Sequence, residues 1–168
     1  MAITWANILE WETRPLDEIA RELLEASQGL RKAYEKGEDD LKAVQSEGEA
    51  VTAMRATTIT NLASLERALT NVNGALMAIE GARDGVATVM SNINTLQAYA
   101  STNNCTILND GSVVGEGSRT QRGGKSPARF NIEQGIKDII EQADQVDTEL
   151  YHALQDINND SYTDGDWA

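Results

Sequence analysis

The chain has 168 residues, with 27 Asp and Glu against 14 Lys and Arg, for a formal net charge of -13 at pH 7. That surplus of acid excludes a nucleic-acid binder, which needs a basic face for phosphate, and disfavours attraction to anionic lipid. Aromatic residues are 5% of the chain and there are two prolines, so a core must be assembled from Leu, Ile, Val, Met and Ala, a composition that favours packed helices.

Cysteine and histidine occur once each, as Cys105 and His152. One thiol makes no internal disulfide, and the two together cannot build a Cys/His zinc site. No stretch approaches the ~20 apolar residues that span a bilayer. The opening Met1-Ala2-Ile3-Thr4-Trp5 lacks the basic start and long apolar run of a signal peptide, so any export is expected to follow a route that reads no such signal.

Residues 1–12 hold Trp5, Ile8, Leu9 and Trp11. Thr13 then offers an N-cap and Pro15 suits a first helical turn. The first long helix is predicted over 15–45. Leu16, Leu23, Leu30 and Val44 fall on a seven-residue period, flanked by Ile19, Ala26, Ala33 and by Ala20, Tyr34, Leu41. This is one apolar stripe on a charged helix, since twelve acids and six bases lie in residues 1–50.

A break at Gln45-Ser46-Glu47-Gly48 precedes a longer periodic run, from Val51 through Leu62, Leu65, Leu69, Val72, Leu76, Ile79, Val86, Met90, Ile93 and Leu96. A helix over 49–100 is predicted. Residues 51–100 carry only three acids and three bases, so this helix is expected to be central, covered by the other helices or by a partner chain. Leu65, Leu69, Leu76 and Ile79 are the expected centre of the core. Gly74, Gly81 and Gly85 weaken it locally and mark a bend or a close crossing, or are merely tolerated.

Further on, Cys105-Thr106-Ile107-Leu108 and Ser112-Val113-Val114 bracket Asn109-Asp110-Gly111, a strong turn signal that predicts a small β-hairpin. Gly115 to Pro127 contains four glycines and is expected to be mobile and first to be nicked by protease. Arg119, Arg122, Lys125 and Arg129 form its basic patch, either a solvated loop or a candidate docking site for an acidic partner. A third helix is predicted from a cap at Asn131 to about 157, with Ile132, Ile136, Ile139, Ile140, Ala143, Val146, Leu150, Leu154 and Ile157 as its stripe. From Asp138 onward there are nine acids and no Lys or Arg. Residues 158–168 lack periodicity and form an acidic tail, expected to be disordered unless Trp167 anchors it. The expected fold is therefore all-α: one elongated helical-bundle domain over 1–157, made of a long antiparallel hairpin (about 15–100), a β-hairpin and basic loop (about 101–130) and a third helix (about 131–157).

Several chemical motifs begin and fail. Gly124-Lys125-Ser126 ends like a phosphate-binding loop, but Arg119 stands where the first glycine is needed and Pro127 follows. Asp156-x-Asn158-x-Asp160 begins like a calcium loop, but Ser161 and Trp167 occupy the glycine and glutamate positions. His152 has no Ser or Cys near it in sequence to activate. Cys105 reads as a small buried apolar residue. The reading is non-enzymatic, with no cofactor and no metal.

Taken together, Thr4-Trp5-x-x-Ile8-x-x-Trp11, Arg14-Pro15-Leu16, the turn Ser46-Glu47-Gly48-Glu49-Ala50-Val51, the Leu-rich helix after it and Asn109-Asp110-Gly111-Ser112-Val113 carry a resemblance. Over about residues 1–115 the chain resembles the actinobacterial Trp-x-Gly helical-hairpin superfamily, the substrates of type VII (ESX) secretion. In particular it resembles the N-terminal modules of larger secreted actinobacterial proteins. Ser46 stands where the family has its turn Trp, and Gly48 carries over. The resemblance implies secretion or a cell-envelope location, and a protein partner met through helix packing: the secretion machinery, a helical partner, or a second copy. It also implies a Tyr-x-x-x-Asp/Glu export signal, which Tyr162 and Asp166 fit beyond the hairpin; Tyr34 and Glu38 match the same spacing within the first helix. The alternative is a cytoplasmic helical adaptor or coiled-coil protein unrelated to secretion.

Overall fold

A computed structural model of the chain describes residues 2–44 and 47–165, with side chains through residue 159. In chain order the elements are α1 (Trp5–Leu9), α2 (Arg14–Ala43), α3 (Glu49–Thr102), β1 (Thr106–Ile107), β2 (Val113–Val114), a 3-10 turn (Glu116–Ser118) and α4 (Pro127–Gly165). Apart from the two short strands the fold is all-α, as the three apolar stripes require.

Local chemistry sets the boundaries. Thr4 and Asn7 cap α1 reciprocally: Asn7 N donates to Thr4 Oγ1 at 3.2 Å and Thr4 N donates to Asn7 Oδ1 at 3.0 Å. The second helix opens directly after Thr13. At its other end Arg55 Nη2 donates to Val44 O at 3.0 Å, satisfying a carbonyl that the helix leaves free. Gly48 has a φ of +138°, a conformation that glycine adopts without strain, and its carbonyl accepts from Thr52 N at 2.9 Å to start α3.

Two compact units share these elements. The first takes in the chain up to Leu16 together with Gly81–His152. Here α3 and α4 run antiparallel: Gly85 faces Val146 and Leu96 faces Gly135. Trp5 and Ile8 of α1, Val89 and Ile93 of α3, Cys105 and Val113 of the hairpin, and Ile132, Ile136, Ile139 and Ala143 of α4 form one buried cluster. The hairpin pairs Thr106 with Val114 and Ile107 with Val113, antiparallel. Its turn is the predicted Asn-Asp-Gly: Gly111 has φ +88° and donates to Leu108 O at 2.9 Å, and Asp110 Oδ1 accepts from Ser112 N at 2.9 Å.

The second unit takes in Asp17–Glu80 together with the chain from Ala153 onward. In it α2 and α3 form the predicted antiparallel hairpin, with Gly37 against Leu62 and Ser27 against Asn73. The close approach at Gly37 leaves only 2.6 Å between a would-be Cβ and Leu62 Cδ2. Ile157 of α4 lies against Gly74.

Four expectations change. The core centre is not at Leu65, Leu69 and Leu76, which are half-buried; of that set only Ile79 is buried, and the buried cluster lies in the first unit. Two paired helices leave each stripe open on one flank, whereas α1, the hairpin and α4 close around α3. The fourth helix starts at Pro127 rather than Asn131, because Ser126 Oγ accepts from Arg129 N at 3.1 Å and Pro127 takes the first helical position. It continues to Gly165, through part of the expected disordered tail. Ile157 holds it against Gly74, and each further residue then adds a backbone bond to an existing helix. The glycine-rich loop is also not open chain: Ser126 N donates to Ser118 O at 3.1 Å, Thr120 N donates to Gly124 O at 2.8 Å, and Ser118 is buried.

The three glycines of α3 divide. Gly85 is a close crossing, with a would-be Cβ 2.6 Å from Val146 Cγ2; Gly74 is in ordinary contact with Ile157; Gly81 meets nothing within 4 Å and is merely tolerated.

Candidate functional site

The sequence-predicted residues that are described stand on separate elements. Ser46 and Asp166 lie outside the described residues, Gly48 forms the hairpin turn, and Tyr162 falls on the α4 backbone. The other Tyr-x-x-x-Glu match is a side-chain pair on α2. The Tyr34 hydroxyl bonds the Glu38 carboxylate, which, with that carboxylate's charge, holds the Tyr34 pKa above its usual 10.0. His152 is exposed and meets the Tyr151 ring edge-on at 5.7 Å. Cys105 is buried in the core, as expected.

Half of the basic patch is taken up locally. Lys125 Nζ and Arg129 Nε each donate to Glu133, at 3.0 Å. The hydrogen bond from Lys125, and then that from Arg129, hold the Glu133 carboxyl below its usual value against the opposing effect of burial. Arg119 and Arg122 are exposed on the turn beyond. Among the described residues no group of three or more His, Cys, Asp and Glu side chains is placed to hold a metal ion.

A groove with a volume of about 710 Å³ lies between α3 and α4 in the first unit. Leu96, Gly135 and Ile139 make its apolar floor, with Tyr99, Thr95, Asn92 and Asp138 along its walls. Gly135 permits this shape: a Cβ there would stand 2.8 Å from Leu96 Cδ1, so the missing side chain lets Leu96 lie against α4. Two side-chain bridges cross from helix to helix. Asn92 Nδ2 donates to Gln142 Oε1 at 2.8 Å, and Asn131 Nδ2 donates to Tyr99 OH at 3.2 Å. They fix the helix register on a side that has no apolar closure. On the other flank of α3, Ile8, Leu9 and Trp11 pack beside Met90 and Ile93. So α1 covers one side of the helix pair, and the groove is the other side.

Sequence reasoning missed this groove. Its polar residues are split between two helices, Asn92, Thr95 and Tyr99 on α3 and Asn131, Asp138 and Gln142 on α4, and only the packing brings the two sets together. The available signal was the repeat of the α3 set at positions 92, 95 and 99, one helical face.

Compared with known proteins, the chain matches no family model, no curated protein and no solved structure.

Proposed function

We propose that this protein is a non-enzymatic helical module that binds a partner helix and is exported by a type VII (ESX) route without a signal peptide. The observation that carries the binding half is the groove: a channel with an apolar floor, bridged at its two ends by Asn92–Gln142 and Asn131–Tyr99, on the one flank of the α3–α4 pair that α1 does not cover. A facing helix would complete the layer there, as helix-in-groove recognition does elsewhere. The export half rests on the resemblance to Trp-x-Gly hairpin substrates. Two separated parts of that pattern belong together physically, which supports reading them as one motif. Trp5 is 2% exposed, its Cβ stands 3.4 Å from where a Gly111 Cβ would be, and Val113 shares its cluster.

In this reading Tyr162 and Asp166 are the export signal. The test is detection of tagged protein in culture supernatant with and without a working type VII ATPase, using the parent, Tyr162→Ala and Asp166→Ala. ATPase-dependent export lost in both variants is the expected result. Protein retained in the cell in every strain overturns the export reading and returns the cytoplasmic adaptor.

A further inference from the structure

The groove has a one-sided electrostatic environment. On its α3 wall the sequence has no Asp, Glu, Lys or Arg from Gly85 to Asn109. On its α4 wall Asp138 lines the groove, and Glu141 stands exposed one turn on. No base follows Lys137. The Asp138 carboxylate is held at the rim by Gln134 Nε2, which donates to Oδ1 at 3.2 Å. An apolar floor whose lining holds one carboxylate, Asp138, and no cation, with Glu141 exposed one turn beyond that lining, favours cationic helices over acidic ones.

We infer that the groove takes an amphipathic helix of a partner protein whose apolar stripe is flanked by Lys or Arg. Its apolar side chains seat on Leu96, Gly135 and Ile139, and its cations lie along Asp138 and Glu141. On α4 the channel runs twelve residues, from Asn131 to Gln142, and on α3 eight, from Asn92 to Tyr99, about 16 Å and about 10 Å at ~1.5 Å per residue, room for two to three turns of helix. The inference rests on the reading of the groove as a docking surface and adds the chemistry of the occupant.

The experiment titrates the full chain with two synthetic helical peptides of about 14 residues, roughly the channel length: one with a Leu stripe flanked by Lys, the other with the same stripe flanked by Gln. Binding is followed by amide chemical shifts. Four proteins are compared: the parent, Asp138→Lys/Glu141→Lys, a remote charge control Asp39→Lys/Asp40→Lys on α2, and Thr95→Trp, which fills the groove from an exposed wall position. The expected result is that the Leu/Lys peptide shifts Leu96, Tyr99 and Ile139. Asp138→Lys/Glu141→Lys should weaken it about tenfold, the remote pair far less, and Thr95→Trp should abolish it. Equal weakening by the remote pair overturns the inference, because the attraction is then only the protein's overall charge. If Thr95→Trp blocks both peptides while Asp138→Lys/Glu141→Lys changes neither, the docking surface stands and the basic occupant falls. Should Thr95→Trp leave Leu/Lys binding unchanged, or should the peptide not bind, both fall. A parent that sediments as a dimer broken by Thr95→Trp assigns the groove to a second copy and also overturns the inference.

Discussion

The two units draw on the same kind of sequence and reach different interiors. In the first, Val89, Ile132 and Ala143 are fully enclosed, and Trp5 and Ile8 seal them from one side. In the second, among described side chains, only Ser27 and Ile79 are buried. Leu23, Leu30, Leu41, Leu62, Leu65 and Leu69 are half-exposed although they hold helical period. Periodicity makes a helix amphipathic, but burial depends on how many neighbours the apolar stripe meets. The most buried residue of α2 is accordingly polar: Ser27 Oγ donates to Asn73 Oδ1 at 2.7 Å, which sets hairpin register where apolar packing is thin.

The largest expected effect breaks the enclosed unit. Ile132→Ala should lose ~2–5 kcal/mol of stability by leaving a cavity, while Leu69→Ala, half-buried, should lose about 1 kcal/mol. Urea denaturation of both variants measures the contrast, and equal losses would erase the distinction between the units. Glycine substitutions sharpen it. Gly85→Ala brings a Cβ to 2.6 Å from Val146 Cγ2, on a branched side chain with little freedom to move, and should destabilise by ~1–3 kcal/mol. Gly29→Ala, on α2 with nothing within 4 Å, should instead stabilise by ~0.5–1 kcal/mol through helix propensity. A gain at Gly85 would show that the crossing has room.

In the second unit, Ser27→Ala should cost about 1 kcal/mol, with hydrogen exchange quickening along α2 and not in residues 85–102. Uniform quickening would mean that the units open together. The smallest effect concerns Glu133, whose pKa is lowered mainly by the Lys125 hydrogen bond. Its contribution is fully present above the ordinary carboxylate value of 4.5 and fades as pH falls through its own lower pKa. Glu133→Gln should cost ~0.5 kcal/mol at neutral pH, an exposed-pair value, and the difference from the parent should vanish in acid. A difference that persists there would assign the cost to packing.

The amino-acid order alone determined the three long helices, the turn at Gly48 and the hairpin at Asn109-Asp110-Gly111, because period, glycine conformation and turn chemistry act over a few residues. It also held the start of α4 in Ser126-Pro127, a cap and first-turn pair masked by the glycines before it. It could not reveal that the core would form around Val89 and Ile132 rather than Leu69. Nor could it reveal that Gly135 would let Leu96 lie against α4 and open a groove between Asn92 and Asn131, or that Glu133 would take two of the four patch cations. Those outcomes depend on which stripes meet, and contacts between residues tens of positions apart leave no periodic trace in the chain. Tertiary packing decided them, because a helix face becomes core or surface only when a neighbour covers it.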